Sequence, residues 1–440
     1  MSMTGDITQI IESHWIAPVM PESALLEDHA VVISGDRIVA VMPSGEARAR
    51  HPEAPTLTLE DHVLIPGLVN AHIHAAMTLM RGIADDLPLM RWLQEHIWPA
   101  EAKHVSPEFI HDGTLLAIAE SLRGGVTCFN DMYFYPEVTA QAALETGMRM
   151  SAGMIVIEFP TRYATDPQDY LEKGLALRDR LRREPRLSFC LAPHAPYTVS
   201  DATFERVVTL AEQLDVPIHM HIHETLGEIQ QSLEHHGMRP IERLDRLGVL
   251  GPRLMGVHAV HLTEDEITQL AHHGASVVHC PSSNMKLASG IAPVAQCLEQ
   301  GVNVALGTDG AASNNRLDMF EEMRLAALLA KVASGCADAL PAHRALRMAT
   351  LDGARALGLD HLIGSIEPGK QADLVAVNLG SLELSPCFDP LSHLVYAAGR
   401  SDVSHVWVAG EALLTDGTLQ RVDVTALRQQ VARWRSVLAD

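Results

Sequence analysis

Residues 70–74 read Asn-Ala-His-Ile-His, which places one residue between His72 and His74. Alternate side chains of a strand share a face, so both imidazoles can reach one metal ion while Ile73 turns away. The chain holds 24 histidines, so His-x-His alone is weak, and two polar residues at a strand end would explain it. A second group lies in 216–225, Val-Pro-Ile-His-Met-His-Ile-His-Glu-Thr. His219, His221 and His223 are expected on one strand face, and periodicity does not say which of them binds a metal. A ligand at the strand end with a carboxylate just after it, Glu224, would aim both at one pocket. Two further segments carry chemistry: Gly256-Val257-His258-Ala259-Val260-His261 and Leu306-Gly307-Thr308-Asp309-Gly310.

These residues sit where strands end. Eight short apolar runs, 67–71, 126–129, 150–155, 187–191, 217–223, 254–260, 275–280 and 302–306, alternate with helical stretches such as 202–214 and 264–272. That alternation predicts βα units and an α/β fold, a (β/α)8 TIM-type barrel. Several runs end in His72 and His74, Asn130 and Asp131, His194, His221 and His223, His258, or Asp309. Barrel active sites form at the C-terminal strand ends, and packing alone would favour apolar residues there. The two ends of the chain read differently. Strand-like runs 30–33 and 37–41 flank Gly35-Asp36 as a hairpin, and 372–377 and 405–410 are strand-like too. The expected division is a barrel over 66–370, with 1–65 and 371–440 meeting in one small β-sandwich domain that includes a C-terminal helix.

A formal charge of −22 disfavours nucleic acid and anionic membranes as partners. Six scattered cysteines, none in a Cys-x-x-Cys pair, predict reduced thiols and a cytoplasmic protein. The first residues lack a basic stretch followed by an apolar core, so no secretory signal is expected. No apolar run approaches the ~20 residues of a membrane span. The expected partner is a small-molecule substrate. The oligomeric state is left open, a homo-oligomer included.

Pro66-Gly67-Leu68-Val69-Asn70-Ala71-His72-Ile73-His74 resembles the first barrel strand of the amidohydrolase superfamily. The segments around His221, His258 and Asp309 resemble its fifth, sixth and eighth strand motifs. The resemblance implies His72, His74, His221 and Asp309 as metal ligands. It also implies Glu224 as the acid/base carboxylate and His258 as a hydrogen-bond partner of the attacking water. Three imidazoles and one carboxylate suit Zn2+, with Fe2+ or Mn2+ as alternatives. Dinuclear members bridge two metals with a carboxylated lysine at the fourth strand end. Here that strand ends Leu191-Ala192-Pro193-His194, so one divalent ion per chain is expected. His219, His223 and His261 are expected to be hydrogen-bonded histidines without a ligand role.

Within the superfamily, the sequence resembles the 5-methylthioadenosine/S-adenosylhomocysteine deaminases. Pro193-His194-Ala195-Pro196-Tyr197 resembles a segment whose histidine contacts substrate, with Ala195 replacing the usual serine. Residues 89–93 and 97–101 resemble the segment after the first strand, where a glutamate, here Glu101, binds the ribose hydroxyls. Cys280-Pro281-Ser282-Ser283-Asn284 resembles the loop after the seventh strand, and Glu367-Pro368-Gly369-Lys370 the re-entry into the small domain. Trp92 is expected to wall the pocket, against plain packing. Arg162, after the third strand, is expected to meet an amino-acid carboxylate, against an ordinary surface arginine. The implied reaction is hydrolysis at C6 of an adenine nucleoside by a metal-activated water. Asp309 serves as base, Glu224 as proton carrier, and ammonia leaves. The alternatives are a related enzyme acting on guanine or a triazine, which would have no ribose for Glu101, and a non-catalytic metal-binding protein, which would need neither Glu224 nor His258.

Overall fold

The computed structural model describes residues 6–439. Its strands are β1 (Gln9–Ile16), β2 (Leu26–Ser34), β3 (Arg37–Pro43), β4 (Thr56–Pro66), β5 (Leu68–Ile73), β6 (Val126–Asp131), β7 (Arg149–Val156) and β8 (Leu187–Pro193). They continue with β9 (Ile218–Ile222), β10 (Leu254–His258), β11 (Ser276–His279), β12 (Asn303–Leu306), β13 (Leu374–Asn378), β14 (Val403–Val408), β15 (Glu411–Thr415) and β16 (Thr418–Leu419). Strands β5 to β12 pair in sequence order, all parallel, with helices between them. All eight expected barrel runs are strands. Nearly every residue in them is buried, as a sheet covered on both faces requires.

The seam between β12 and β5 brings the first and last site motifs together. Asn70 bridges it: its amide donates to Thr308 Oγ1 at 2.8 Å, and Thr308 N donates to Asn70 Oδ1 at 3.0 Å. Asp309 N donates to the His72 carbonyl at 3.1 Å. Gly307 permits this approach, since a Cβ there would lie 2.9 Å from the His72 backbone. Thr-Asp-Gly is therefore more than a turn: it is the last strand end folded against the first.

Strands from both chain ends form one mixed sheet in the order β16-β15-β14-β13-β4-β1-β2-β3. β4 runs directly into β5 through Pro66 and Gly67, and β13 pairs antiparallel with β4. Arg149, at the start of β7, donates to both Asp373 carboxylate oxygens, at 2.8 and 2.9 Å, with both side chains buried. Among the described residues, no helix is long and apolar enough to cross a membrane.

Two strands that carry site residues stop short of their expected ends, and the site depends on it. The run 217–223 ends at Ile222, and His223 takes a left-handed conformation with φ of 51°. Its ring therefore leaves the face shared by His219 and His221, contrary to strand alternation. The run 254–260 ends at His258, where φ is 71°, and Ala259 follows at 48°. Asp309 is also left-handed, at 59°. Non-glycine residues seldom adopt this region, and clusters of them mark functional sites.

Candidate active site

The C-terminal ends of β5, β9, β10 and β12 bring their polar residues to one point. His72 Nε2 and His74 Nε2 lie 3.3 and 3.2 Å from Asp309 Oδ1, and His221 Nε2 lies 3.3 Å from His72 Nε2. His72, His74 and Asp309 offer donor atoms within 4.8 Å of one another, and so do His72, His221 and His258. Tetrahedral ligands about 2.0–2.2 Å from a zinc ion stand about 3.3–3.6 Å apart, so these separations fit one divalent ion. Nitrogen and carboxylate donors without thiolates agree with that choice.

Each ring is held from behind. His74 Nδ1 donates to the Met132 carbonyl at 2.6 Å, His221 Nδ1 to the His194 carbonyl at 2.8 Å, and His258 Nδ1 to Asn284 Oδ1 at 2.8 Å. Oxygen acceptors fix the proton on Nδ1, which leaves the Nε2 lone pairs aimed at the centre. His72 Nδ1 lies 2.8 Å from His219 Nε2, and His219 Nδ1 lies 3.1 Å from the Asn130 side-chain amide. His219 is thus a buried support for a ligand. His223 accepts from Ile241 N, and His261 Nε2 donates to the Ser289 carbonyl, so neither joins the centre.

Asp309 divides its oxygens. Oδ2 accepts from Ser283 Oγ at 2.6 Å and Ser313 Oγ at 2.7 Å, while Oδ1 faces the two histidines. Burial opposes its charge, but His72 and His74 beside it outweigh burial and hold its pKa well below the usual range. Glu224 is the converse: burial pushes its carboxyl up, with Asp309's charge adding and His258 opposing. The two nearby carboxyls are thus shifted in opposite directions, Asp309 down and Glu224 up, the direction that separate base and acid roles need. Glu224 Oε2 lies 3.7 Å from His258 Nε2 and is not among the donors clustered around His72.

These groups form the floor of a cavity of about 480 Å³ whose walls include Trp92, Glu101, Arg162 and His194. His194 Nδ1 lies 2.9 Å from Thr198 Oγ1, and burial lowers its pKa to about 3, so it stays neutral. Trp92 is buried, and its indole N–H has no hydrogen-bond partner among the described residues. Glu101, on helix Trp98–His104, accepts from the Tyr133 hydroxyl at 2.7 Å. Burial raises its pKa to about 7, against the Tyr133 hydrogen bond and the His74 charge. Arg162 is exposed at the mouth and donates to the Ala102 carbonyl at 3.4 Å. Every site residue expected from the sequence therefore lines this cavity or, for buried His72, lies beneath it.

Sequence reasoning missed the supporting residues Asn284, Ser283, Ser313, Tyr133 and Glu228. Glu228 accepts from His223 N at 2.9 Å and Glu224 N at 2.8 Å, clasping the turn that carries Glu224. Its signal was legible as Thr225-x-x-Glu228, a helix-start pattern; helix Leu226–His236 begins there with Thr225 as its cap. Asn284 lay in a segment whose resemblance was noted without assigning it a role.

Residues 63–413 match the model of the amidohydrolase family. The chain is 46% identical over 438 residues to a 5-methylthioadenosine/S-adenosylhomocysteine deaminase of Teredinibacter turnerae, covering 100% of this chain and 99% of that one. It is 48% identical over 360 residues to a 5′-deoxyadenosine deaminase of Methanothermobacter thermautotrophicus, covering 81% and 83%. Among solved structures, an adenosine deaminase from Xanthomonas campestris with bound zinc superposes with a TM-score of 0.98 at 51% identity, covering 99% of each chain.

Proposed function

The chain belongs to the amidohydrolase family, and we propose that it hydrolytically deaminates the adenine ring of a nucleoside. One observation carries this reading: the metal-capable cluster, the acid/base pair and Glu101 line a single cavity. A free base or a triazine would leave Glu101 without a hydroxyl pair to receive. A metal-storage protein would need no acid/base carboxylate such as Glu224.

His72, His74, His221 and Asp309 would hold one divalent ion, zinc by its donor set. When bound, such an ion supplies a nucleophilic water at neutral pH. Asp309, kept ionised, accepts that water's proton. His258 Nε2 orients the attacking oxygen. Glu224 protonates the ring nitrogen beside C6 and later carries a proton to the departing amine. Water adds at C6, the C6–N bond breaks, and ammonia and an inosine-type product leave. His194 and Trp92 hold the base, and Glu101 accepts from the two ribose hydroxyls.

The cavity lining is largely apolar and includes Leu89, Leu93, Ile157 and Phe159. It suits an uncharged 5′-thioether, as in 5′-methylthioadenosine. Arg162 at the mouth would meet the carboxylate of S-adenosylhomocysteine. All six cysteines are free, which accords with a reducing cytoplasm. The test is ammonia release from adenosine, 5′-methylthioadenosine, S-adenosylhomocysteine, guanine and cytosine. Turnover confined to the adenine nucleosides is expected, and preference for guanine would overturn the assignment. Arg162→Ala should impair S-adenosylhomocysteine alone.

A further inference from the structure

Glu101 reaches the cavity from an excursion of the chain between β5 and β6, so its position relative to the barrel is not set by a strand. Tyr133 is placed quite differently. It follows β6 directly, where Met132 N donates to the Ile73 carbonyl at 3.0 Å and the Met132 carbonyl accepts from His74 Nδ1 at 2.6 Å. The segment bearing Tyr133 is therefore fastened to the strand that carries His72 and His74. The Tyr133 ring is buried, with its centroid 6.2 Å from that of His74, and its hydroxyl donates to Glu101 Oε1 at 2.7 Å. Among the described residues, no other side-chain donor reaches the Glu101 carboxylate, so Oε2 is left for a ligand.

We propose that Tyr133 is a positioning residue for sugar recognition: it ties the Glu101 carboxylate to the barrel, fixing the distance between the ribose subsite and the reacting centre. This rests on reading Glu101 as the ribose ligand. A hydrogen bond to a charged acceptor is stronger than one between neutral groups, and a phenol has one proton to give. Tyr133 therefore orders one oxygen and leaves the other free. Phenylalanine would keep the ring against His74 and Phe134 while releasing the carboxylate, so Tyr133→Phe isolates the tie from the packing.

The experiment compares kcat and KM of the metal-loaded wild type, Tyr133→Phe, Glu101→Gln and the double variant, using 5′-methylthioadenosine and its 2′,3′-dideoxy counterpart. Tyr133→Phe should raise KM for the ribonucleoside about tenfold, leave kcat within about twofold, and leave KM for the dideoxy compound unchanged. The double variant should be no worse than Glu101→Gln alone, because both changes act through one contact. An unchanged KM in Tyr133→Phe overturns the proposal. So does an equal rise for the dideoxy compound, which would mean general packing, or a fall in kcat alone, which would place Tyr133 at the reacting centre. If Glu101→Gln leaves KM unchanged, the ribose reading itself fails. A rise in Tyr133→Phe under that outcome would show Tyr133 acting without Glu101, which also overturns the tie.

Discussion

Glu224 and His258 stand 3.7 Å apart, Oε2 to Nε2, at the ends of adjacent strands. Each is held from outside the pair: Glu228 takes the Glu224 amide, and Asn284 takes His258 Nδ1. Neither support touches the donors around Asp309, so the proton carrier and the metal cluster are separable. We expect Glu224→Gln to keep its metal and its substrate affinity. It should lose on the order of 10²- to 10⁴-fold in kcat, because an amide has the shape but not the proton. His221→Ala should lose metal and activity together. Metal analysis alongside kcat decides the matter: near-normal turnover in Glu224→Gln would remove the residue from the mechanism, and loss of its metal would make it a ligand.

The donor set also carries an expected stoichiometry. Where dinuclear relatives bridge two ions with a lysine, this chain has His194, whose Nδ1 faces Thr198. Elemental analysis of protein purified without added metal should find about one divalent ion per chain. Two tightly held ions would contradict the mononuclear reading.

Much of this architecture was legible because apolar runs ending in His or Asp have a period and a position, and both survive in the linear sequence. Left-handed backbone at His223, His258 and Asp309 was not legible. None of the three is glycine, so no residue type announced it, and strand alternation wrongly kept His223 with His219 and His221. The choice of His221 over His219 needed depth along the barrel, which periodicity lacks. Asn284 meets His258 across 26 residues, and Tyr133 meets Glu101 across 32. Such pairings are fixed by the barrel closing, not by local sequence.

The barrel's attachment to the terminal sheet makes a stability prediction. Arg149 and Asp373 are 3% and 1% exposed, and Asp373 Oδ1 also accepts from Ala409 N at 2.8 Å. Removing one partner strands a buried charge, so Asp373→Ala should cost about 3–5 kcal/mol. Arg149→Met combined with Asp373→Leu should recover much of that loss, since no charge remains buried. Chemical denaturation of the three proteins checks it. A double variant as unstable as Asp373→Ala would mean that the shape of the pair matters more than its charge.

The last prediction uses Glu101 as its own reporter. Burial raises its pKa to about 7, while the Tyr133 hydroxyl and the His74 charge, the groups that face it, pull the other way. Ribose hydroxyls are donors toward it, so they bind the ionised carboxylate better than the neutral acid. Tight binding is therefore available above about pH 7 and is lost as pH falls through that value, where protonation competes with substrate. Below it, KM for 5′-methylthioadenosine should climb toward about tenfold per pH unit, the slope of a single ionisation. Glu101→Gln cannot titrate, so its KM should be higher at about pH 8 yet level toward acid. The 2′,3′-dideoxy substrate should be level as well, because it offers the carboxylate nothing to hold. KM profiles from about pH 5.5 to about pH 8.5 for both proteins and both substrates supply the comparison. A wild-type profile level across that range, or an acid rise that survives Glu101→Gln, would place the ionisation elsewhere and remove Glu101 as the ribose acceptor.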